Sequence, residues 1–318
     1  MRKVLLAAVA LAFSASAFAQ QWPAKPVRVI VNVAPGGVAD ITARVLGAKL
    51  QEALGQPFVV ENRPGGDGYI GFEPVARGEP DGYTLVYAPG STVMIAPHIV
   101  KRADLDPSKA LTPVAATGSV SLYVMTHPDV PVKYFKEFLA YARANPGKLN
   151  YGTPGNGTSP HIAVEVFNRA ANVKLTHVPY KGAGPALKDL LGGVIHLAFD
   201  PGVGLASARA GKLRMIAIAG PNRHADFPDV PTLQENGIQG VDGGPYFGFY
   251  TTAGTPRGTI ERMNQAVLKA MQDATVRDRF KTLAVNLAEP MTPEQFAAYV
   301  RSEYQRYAKL IPELGISR

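Results

Sequence analysis

Short apolar stretches alternate along this chain with glycine- and proline-bearing loops and then with segments whose apolar residues recur at helical spacing. Residues 27–33 are Val/Ile-rich with little alternation, the pattern of a parallel strand covered on both faces. Pro35-Gly36-Gly37 ends that strand. Ile41, Val45, Leu46 and Leu50 then follow helical spacing until Gly55 stops the helix. Residues 58–61 and 83–87 read as the next two strands, each again running into glycine and proline, so the N-terminal third is a βαβ pattern.

The same pattern restarts in the middle of the chain. Residues 149–153 read as a strand, Pro154-Gly155-Asn156-Gly157 as a loop, and 159–171 as a helix stopped near Asn172. Further strands are expected at 174–180, 194–200 and 213–219. After a last strand at 246–252 the character changes to long helices: Pro256 fits the first turn of one ending near Asp273. Thr292 and Gln295 form a capping box that opens the final one. The reading is α/β with two domains, each a mainly parallel sheet flanked by helices. Residues 20–121 and 246–318 would make domain 1 and 122–245 domain 2, with the hinge near 120 and 246, because the final helices need a sheet already built.

Composition narrows the class. At 318 residues, 46% hydrophobic and 18% charged, the chain buries a sizeable core and is too apolar for disorder. The absence of cysteine excludes a disulfide scaffold, Cys-ligated metal, thiol catalysis and an acylated N-terminal cysteine. Arg2 and Lys3, the apolar run 4–13 and Ala17-Phe18-Ala19 form a signal peptide over residues 1–19, cleaved after Ala19. Ser14 and Ser16 interrupt the run too early for a membrane span of about 20 residues. An exported, periplasmic protein without a lipid anchor follows, its formal charge falling from +8 to +6 as Arg2 and Lys3 leave. The basic residues form no run of three and no stripe with aromatics, so nucleic acid is not an expected partner.

Two loops carry candidate chemistry. Pro35-Gly36-Gly37-Val38-Ala39-Asp40 lies where a parallel strand ends and a helix begins, where backbone N–H groups and the helix dipole favour an anion. The stretch from Thr153 through Gly157, Thr158 and Ser159 to His161 repeats the arrangement with hydroxyl donors added. Asp40 and His161 read equally as helix caps, while Asp200, at a strand's carboxyl end, is the expected pocket acid. Ser91 and Thr92 follow the third strand, and Lys181 is the one obvious cation in the loops.

Other chemistry is excluded. Gly66, Gly68 and Gly71 match GxGxxG, but the following apolar stretch reaches Pro80 too soon for a crossover helix, and no acidic residue ends the next strand. His98, His127, His161, His177, His196 and His224 show no metal-ligand spacing, and no GxSxG elbow exists. Neither a cofactor nor a metal is expected.

At this point six ordered motifs become specific: Pro35-Gly36-Gly37-x-x-Asp40, Glu61-Asn62-Arg63-Pro64-Gly65-Gly66, Asp81-Gly82-Tyr83-Thr84-Leu85, Val178-Pro179-Tyr180-Lys181-Gly182, Pro231-Thr232-Leu233-x-Glu235 and Gly254-Thr255-Pro256. Together, over essentially the whole chain after residue 19, they resemble the Bug family, the extracytoplasmic solute receptors of tripartite tricarboxylate transporters. The resemblance implies a two-domain periplasmic binding protein of the type II-like clamshell kind. Its ligand would be a small carboxylate (dicarboxylate, tricarboxylate, acidic amino acid or aromatic acid) held between the domains by the loops from Ala34 to Asp40 and from Thr153 to His161. Its partners would be permease subunits or a sensor kinase, and it would act as a monomer. Asn32 and Val33 depart from the family's common proline and aromatic, and Tyr246 from a frequent tryptophan; both departures bear on ligand identity.

The residues also support a binder without the resemblance, since they hold no nucleophile, metal or cofactor constellation beside two anion-ready loops. The rival is a periplasmic hydrolase or isomerase with Asp200 and His161 as acid and base. A soluble chaperone or sensor subunit is a third possibility.

Overall fold

A computed structural model describes residues 22–100, 102 and 104–316. The expected signal peptide lies outside the described residues. Eleven strands form two sheets among those residues, and no helix of theirs is long and apolar enough to cross a membrane.

The first sheet contains β1 (Val27–Val31), β2 (Phe58–Asn62), β3 (Thr84–Ala88), β4 (Leu111–Val120), β10 (Phe247–Thr252) and β11 (Val285–Leu287) in the order β11-β4-β10-β3-β1-β2. The second contains β5 (Leu122–Thr126), β6 (Asn150–Thr153), β7 (Thr176–Pro179), β8 (Leu197–Asp200) and β9 (Arg214–Ala219) in the order β7-β6-β8-β5-β9. Two α/β sheets flanked by helices are therefore present as expected. Both are mixed: β1 pairs parallel with β2 and β3, and β6 with β7 and β8, but β4, β5 and β10 pair antiparallel. The first strand after each passage between the sheets, β5 and then β10, runs against both of its neighbours, while β4 runs in the direction of β1 to β3.

Alternation on each strand explains the layers. Val27, Val29 and Val31 enter one apolar cluster with the helix Val38–Leu54, whereas Ile30 faces the opposite one with Phe72 and Phe296. Both faces of β1 are thus covered, which is why its sequence shows so little polar alternation. The helices Arg257–Gln272 and Pro293–Leu314 pack on the first sheet, each against β4. Gly55 ends Val38–Leu54 in the left-handed conformation at φ 73°, and Thr292 and Gln295 close the capping box on the last helix. Pro256 stands one residue earlier than expected, as the N-cap of Arg257–Gln272.

The chain crosses between sheets twice. Only Ser121 separates β4 from β5, and the return passes through the segment 240–246. A methyl group on Gly243 would overlap the Val120 carbonyl oxygen, so the crossings touch backbone to backbone. Val120, Ser121, Gly220, Asp242, Tyr246 and Asn286 line part of a cavity of about 420 Å³ beside them.

Candidate functional site

In open α/β sheets a ligand crevice opens outside the carboxyl ends of parallel strands, where chain connections leave to opposite sides. In the first sheet β1 lies between β2 and β3, so this point falls between the ends of β1 and β3. In the second it falls between β6 and β8, which flank one another while β7 lies outside. The loops after β1 and β3 carry Ala34 to Asp40, Ser91 and Thr92; those after β6 and β8 carry Thr153 to His161 and Asp200.

The two sets meet. A methyl on Gly182 would lie 3.2 Å from Ala34 Cβ, and one on Gly157 would lie 3.1 Å from Ile99 Cδ1 and 3.4 Å from Ala96 Cα. Ala34, Ala96 and Ile99 follow strands of the first sheet, and Gly157 and Gly182 follow strands of the second. Lys181 is exposed beside the Gly182 contact.

Each loop opens a helix whose first turn has N–H groups without intrahelical partners. Gly37 is the N-cap of Val38–Leu54 and has no side chain with which to cap it. Pro35 and Gly36 are exposed. Asp40, buried in the first turn, reaches back: its Oδ2 accepts from the Gly36 N–H at 2.9 Å and its Oδ1 from Arg44 Nε at 2.9 Å. Burial pushes the Asp40 carboxyl up, but these hydrogen bonds outweigh it and hold the carboxyl below its ordinary range.

The second loop is braced similarly. Thr158, the N-cap of Ser159–Ala170, donates its hydroxyl to Gly155 O at 2.7 Å instead of to the helix. Gly157 N–H donates to His161 Nδ1 at 3.1 Å. Thr153 Oγ1 lies 2.6 Å from His177 Nε2, and the His177 ring stacks on His161 at 4.1 Å and on Tyr151 at 4.9 Å. Ser159 Oγ sits against Gly244 in the second crossing. Burial lowers His161 to about 4, and burial with the neighbouring His161 lowers His177 to about 4, so both imidazoles are neutral at physiological pH.

These hydrogen bonds revise the expected side-chain roles. Thr158 donates within its own turn. Thr92 donates to Pro89 O and accepts from Asn32 Nδ2. Asp200 is buried and accepts from the N–H groups of Gly202 and Gly204 at 2.7 and 2.9 Å. Burial pushes the Asp200 carboxyl up to about 6, with the loop N–H groups opposing. Short glycine loops leave many backbone groups to satisfy, and adjacent polar side chains do so first. The donors left at the helix starts are backbone N–H groups, while Ser91 is buried beside Thr92. His161 and Asp200 bond to their own loops, with no hydrogen bond recorded between them. Among the described residues no group of three or more His, Asp or Glu is placed to hold a metal.

Thr158→Val is expected to loosen the turn by removing one neutral hydrogen bond, costing about 1 kcal/mol of stability in urea titration. An unchanged midpoint would leave that hydroxyl without a structural role.

Sequence reasoning missed Asn32 and His177 as parts of this site. Asn32 stood out only by its departure from a common proline, and His177 only as one histidine of six.

The model of a family described as tripartite tricarboxylate transporter family receptor matches residues 42–316. A protein of Cupriavidus necator described as a UPF0065 protein in the gbd 5' region is 35% identical over 309 residues, covering 96% of this chain and 93% of that one. Protein BugT of Bordetella pertussis is 34% identical over 302 residues, covering 93% and 91%. The solved structure of the periplasmic binding protein BugD superposes with TM-score 0.86 at 29% identity, covering 93% of this chain and 100% of that one. MatC from Rhodopseudomonas palustris, solved with bound malate, gives TM-score 0.83 at 32% identity over 91% of this chain and 100% of that one. A second R. palustris protein, solved with adipate, gives 0.87 at 29% over 93% and 100%.

Proposed function

Because the chain belongs to the tripartite tricarboxylate transporter receptor family, we propose that it captures a small mono- or dicarboxylate between its two sheets and delivers it, chemically unchanged, to a membrane permease of such a transporter. The observation that carries this reading is the pair of helix starts, Val38–Leu54 and Ser159–Ala170, neither capped by its N-cap side chain, on loops from opposite sheets. Each contributes about half a positive charge and a fan of N–H donors to an anion. The relatives solved with malate and adipate support the same ligand class.

Gly37 and the first turn behind it on one side, and Ser159 and His161 on the other, present backbone N–H groups, with Ala34 and Pro35 beside them; the N–H groups of Gly36 and Gly157 are held by Asp40 and His161, and Asp40, Thr92, Thr153, Thr158 and Asp200 hold those loops in shape. Lys181 supplies the cation at the mouth. The halves, 20–121 with 246–318 and 122–245, hinge at Ser121 and near 246, and ligand favours the closed arrangement by touching both. The chain acts as a monomer in the periplasm after residues 1–19 are removed. No acid–base step is assigned to His161 or Asp200, whose recorded hydrogen bonds serve their own loops.

Thermal shift with succinate, malate, citrate, glutamate and aromatic carboxylates, against neutral sugars and amines, tests the reading. A carboxylate at about 100 times its Kd should add about 2.7 kcal/mol, a melting rise of several degrees. Stabilisation by a sugar or an amine, with silence across every carboxylate, refutes it. Turnover of a bound acid would favour the enzyme. Gly182→Ala separates closure from contact: at φ 138° a side chain is strained, and its methyl presses on Ala34. Affinity should fall about tenfold, because closure becomes costlier. Affinity equal to the parent's would show that the Ala34–Gly182 contact plays no part in binding.

A further inference from the structure

Asp40 is an unexpected residue at a helix start proposed to hold an anion. It is buried in the first turn of Val38–Leu54, and its carboxyl lies below the ordinary range, so at physiological pH it carries a full negative charge. The helix start itself supplies only about half a positive charge. Dipole and carboxylate together leave about half a negative charge, a balance that repels a second carboxylate instead of attracting one.

Arg44 reverses that balance. Its Nε and Nη2 both lie 2.9 Å from Asp40 Oδ1, and the added cation restores about half a positive charge. The same Nη2 donates to Asn62 Oδ1 at 2.8 Å, which turns the Asn62 amide nitrogen toward Val33 O, to which it donates at 3.2 Å. Asp40 Oδ2 meanwhile accepts from the Gly36 N–H at 2.9 Å. One guanidinium therefore holds both ends of the first loop, Val33 through Asn62 and Gly36 through Asp40. Ion pairs four residues apart are commonplace on helix surfaces. This one differs because its acid is buried beside the ligand loop and its half-exposed base also reaches the end of β2. Arg63, the next residue after β2, is turned onto Glu61, which also takes Arg28, so among the described residues Arg44 is the recorded ion-pair partner of Asp40.

We infer that Arg44 is a positioning residue for carboxylate capture: it neutralises Asp40 and frames the loop from Val33 to Gly36, so that the helix start attracts the ligand's anionic group. The inference rests on the carboxylate reading above. A planar fork suits the task, because donors in fixed geometry meet a carboxylate and an amide oxygen at once, whereas an ammonium is a point charge. The fold depends on the pair far less, since half-exposed ion pairs add little to stability and a carboxylate in a first turn is favoured by the helix itself. Loss of Arg44 should therefore be felt in binding before it is felt in melting.

Calorimetric titration of succinate, malate, citrate, glutamate and benzoate tests this on the parent, Arg44→Gln, Arg44→Lys and the double variant Arg44→Gln with Asp40→Asn. Any acid that binds the parent should bind Arg44→Gln at least about tenfold more weakly, with little change in melting temperature. The double variant, which removes both charges and keeps side chains that can hydrogen-bond to each other, should recover to within about threefold of the parent. Arg44→Lys, with the charge but not the fork, should fall between. An arginine that only braced the helix would give no such rescue. Affinity in Arg44→Gln equal to the parent's, or a double variant as weak as the single one, overturns the role of Arg44 and leaves carboxylate capture standing. If Arg44→Gln alone fails to fold, the double variant decides by the same margin against the parent; if neither folds, Arg44 serves the fold and the inference falls. Silence across all of these acids in the parent overturns carboxylate capture and this inference with it.

Discussion

Acidification from about pH 7 to about pH 4 should cost the folded chain several kcal/mol, with His161 and His177 as the principal cause. Both imidazoles are held at about 4 against an ordinary value near 6.5, chiefly by burial, and His161 further lowers His177. Above the ordinary value both folded and unfolded chains carry them neutral, and the stabilisation is fully present. As pH falls through that value the unfolded chain takes up protons that the folded one refuses, so stability declines until the folded pair titrates. Each ring contributes at most about 3 kcal/mol, and because the rings face each other at 4.1 Å they titrate as a pair and the sum is not reached. Tyr151 and Glu165 pack around this pair, and Glu165 acts the other way by raising His177. Asp200 opposes the trend: its raised carboxyl stabilises the fold below its unfolded value and loses that contribution as pH rises through about 6. Two imidazoles outweigh one carboxyl. The melting temperature should drop by roughly 10 °C across the window, and His177→Phe, which keeps a ring but no titrating group, should shrink that drop by about half. A variant whose slope matches the parent's would clear the histidines. Protonation of His161 would also set its Nδ1–H against the Gly157 N–H, so carboxylate affinity should weaken over the same range.

Gly37→Val should lower carboxylate affinity by about a hundredfold or more while leaving a folded protein, since in the proposed function the helix start is one of the two groups that hold the anion. Gly37 has φ −80° and ψ 169°, an extended backbone open to any residue. The nearest atom to an added Cβ is Ala34 O, at 3.8 Å. The protein therefore has room for the side chain, and what the isopropyl group obstructs is the approach to the N–H groups behind it. Loss of a favourable N-cap residue should cost about 1 kcal/mol in denaturant titration, far less than the binding effect. Gly37→Ala should fall between the two. Calorimetric affinity equal to the parent's in Gly37→Val would remove the first loop from the site.

Regularities between near neighbours in the chain were legible from sequence. The Val/Ile run of β1, the helical spacing from Ile41 to Leu50, Gly55 as terminator and the Thr292–Gln295 capping box each depend on residues a few positions apart, and the elements form there. The motif series identified the family for the same reason, because it is written in linear order. Strands β4, β5 and β11 escaped that reading; β4 pairs with β10 some 130 residues away, and nothing local in 111–120 announces it. The candidate loops were legible as helix starts, but the partners of their side chains were not.

Amino-acid sequence by itself determined an α/β chain with sheet-forming stretches in two regions, no cysteine chemistry, and glycine-rich loops that open helices. Tertiary structure alone decided that the loops meet at Ala34 and Gly182, that Thr158, Asp200 and His161 turn back on their own loops, that His161 and His177 stack, and that Asn32 keeps an unpaired acceptor. The physical reason is range. Periodicity and capping act over about four residues, whereas a buried side chain's partner is chosen by whichever polar group packing brings within about 3 Å, and that group comes from anywhere in the chain.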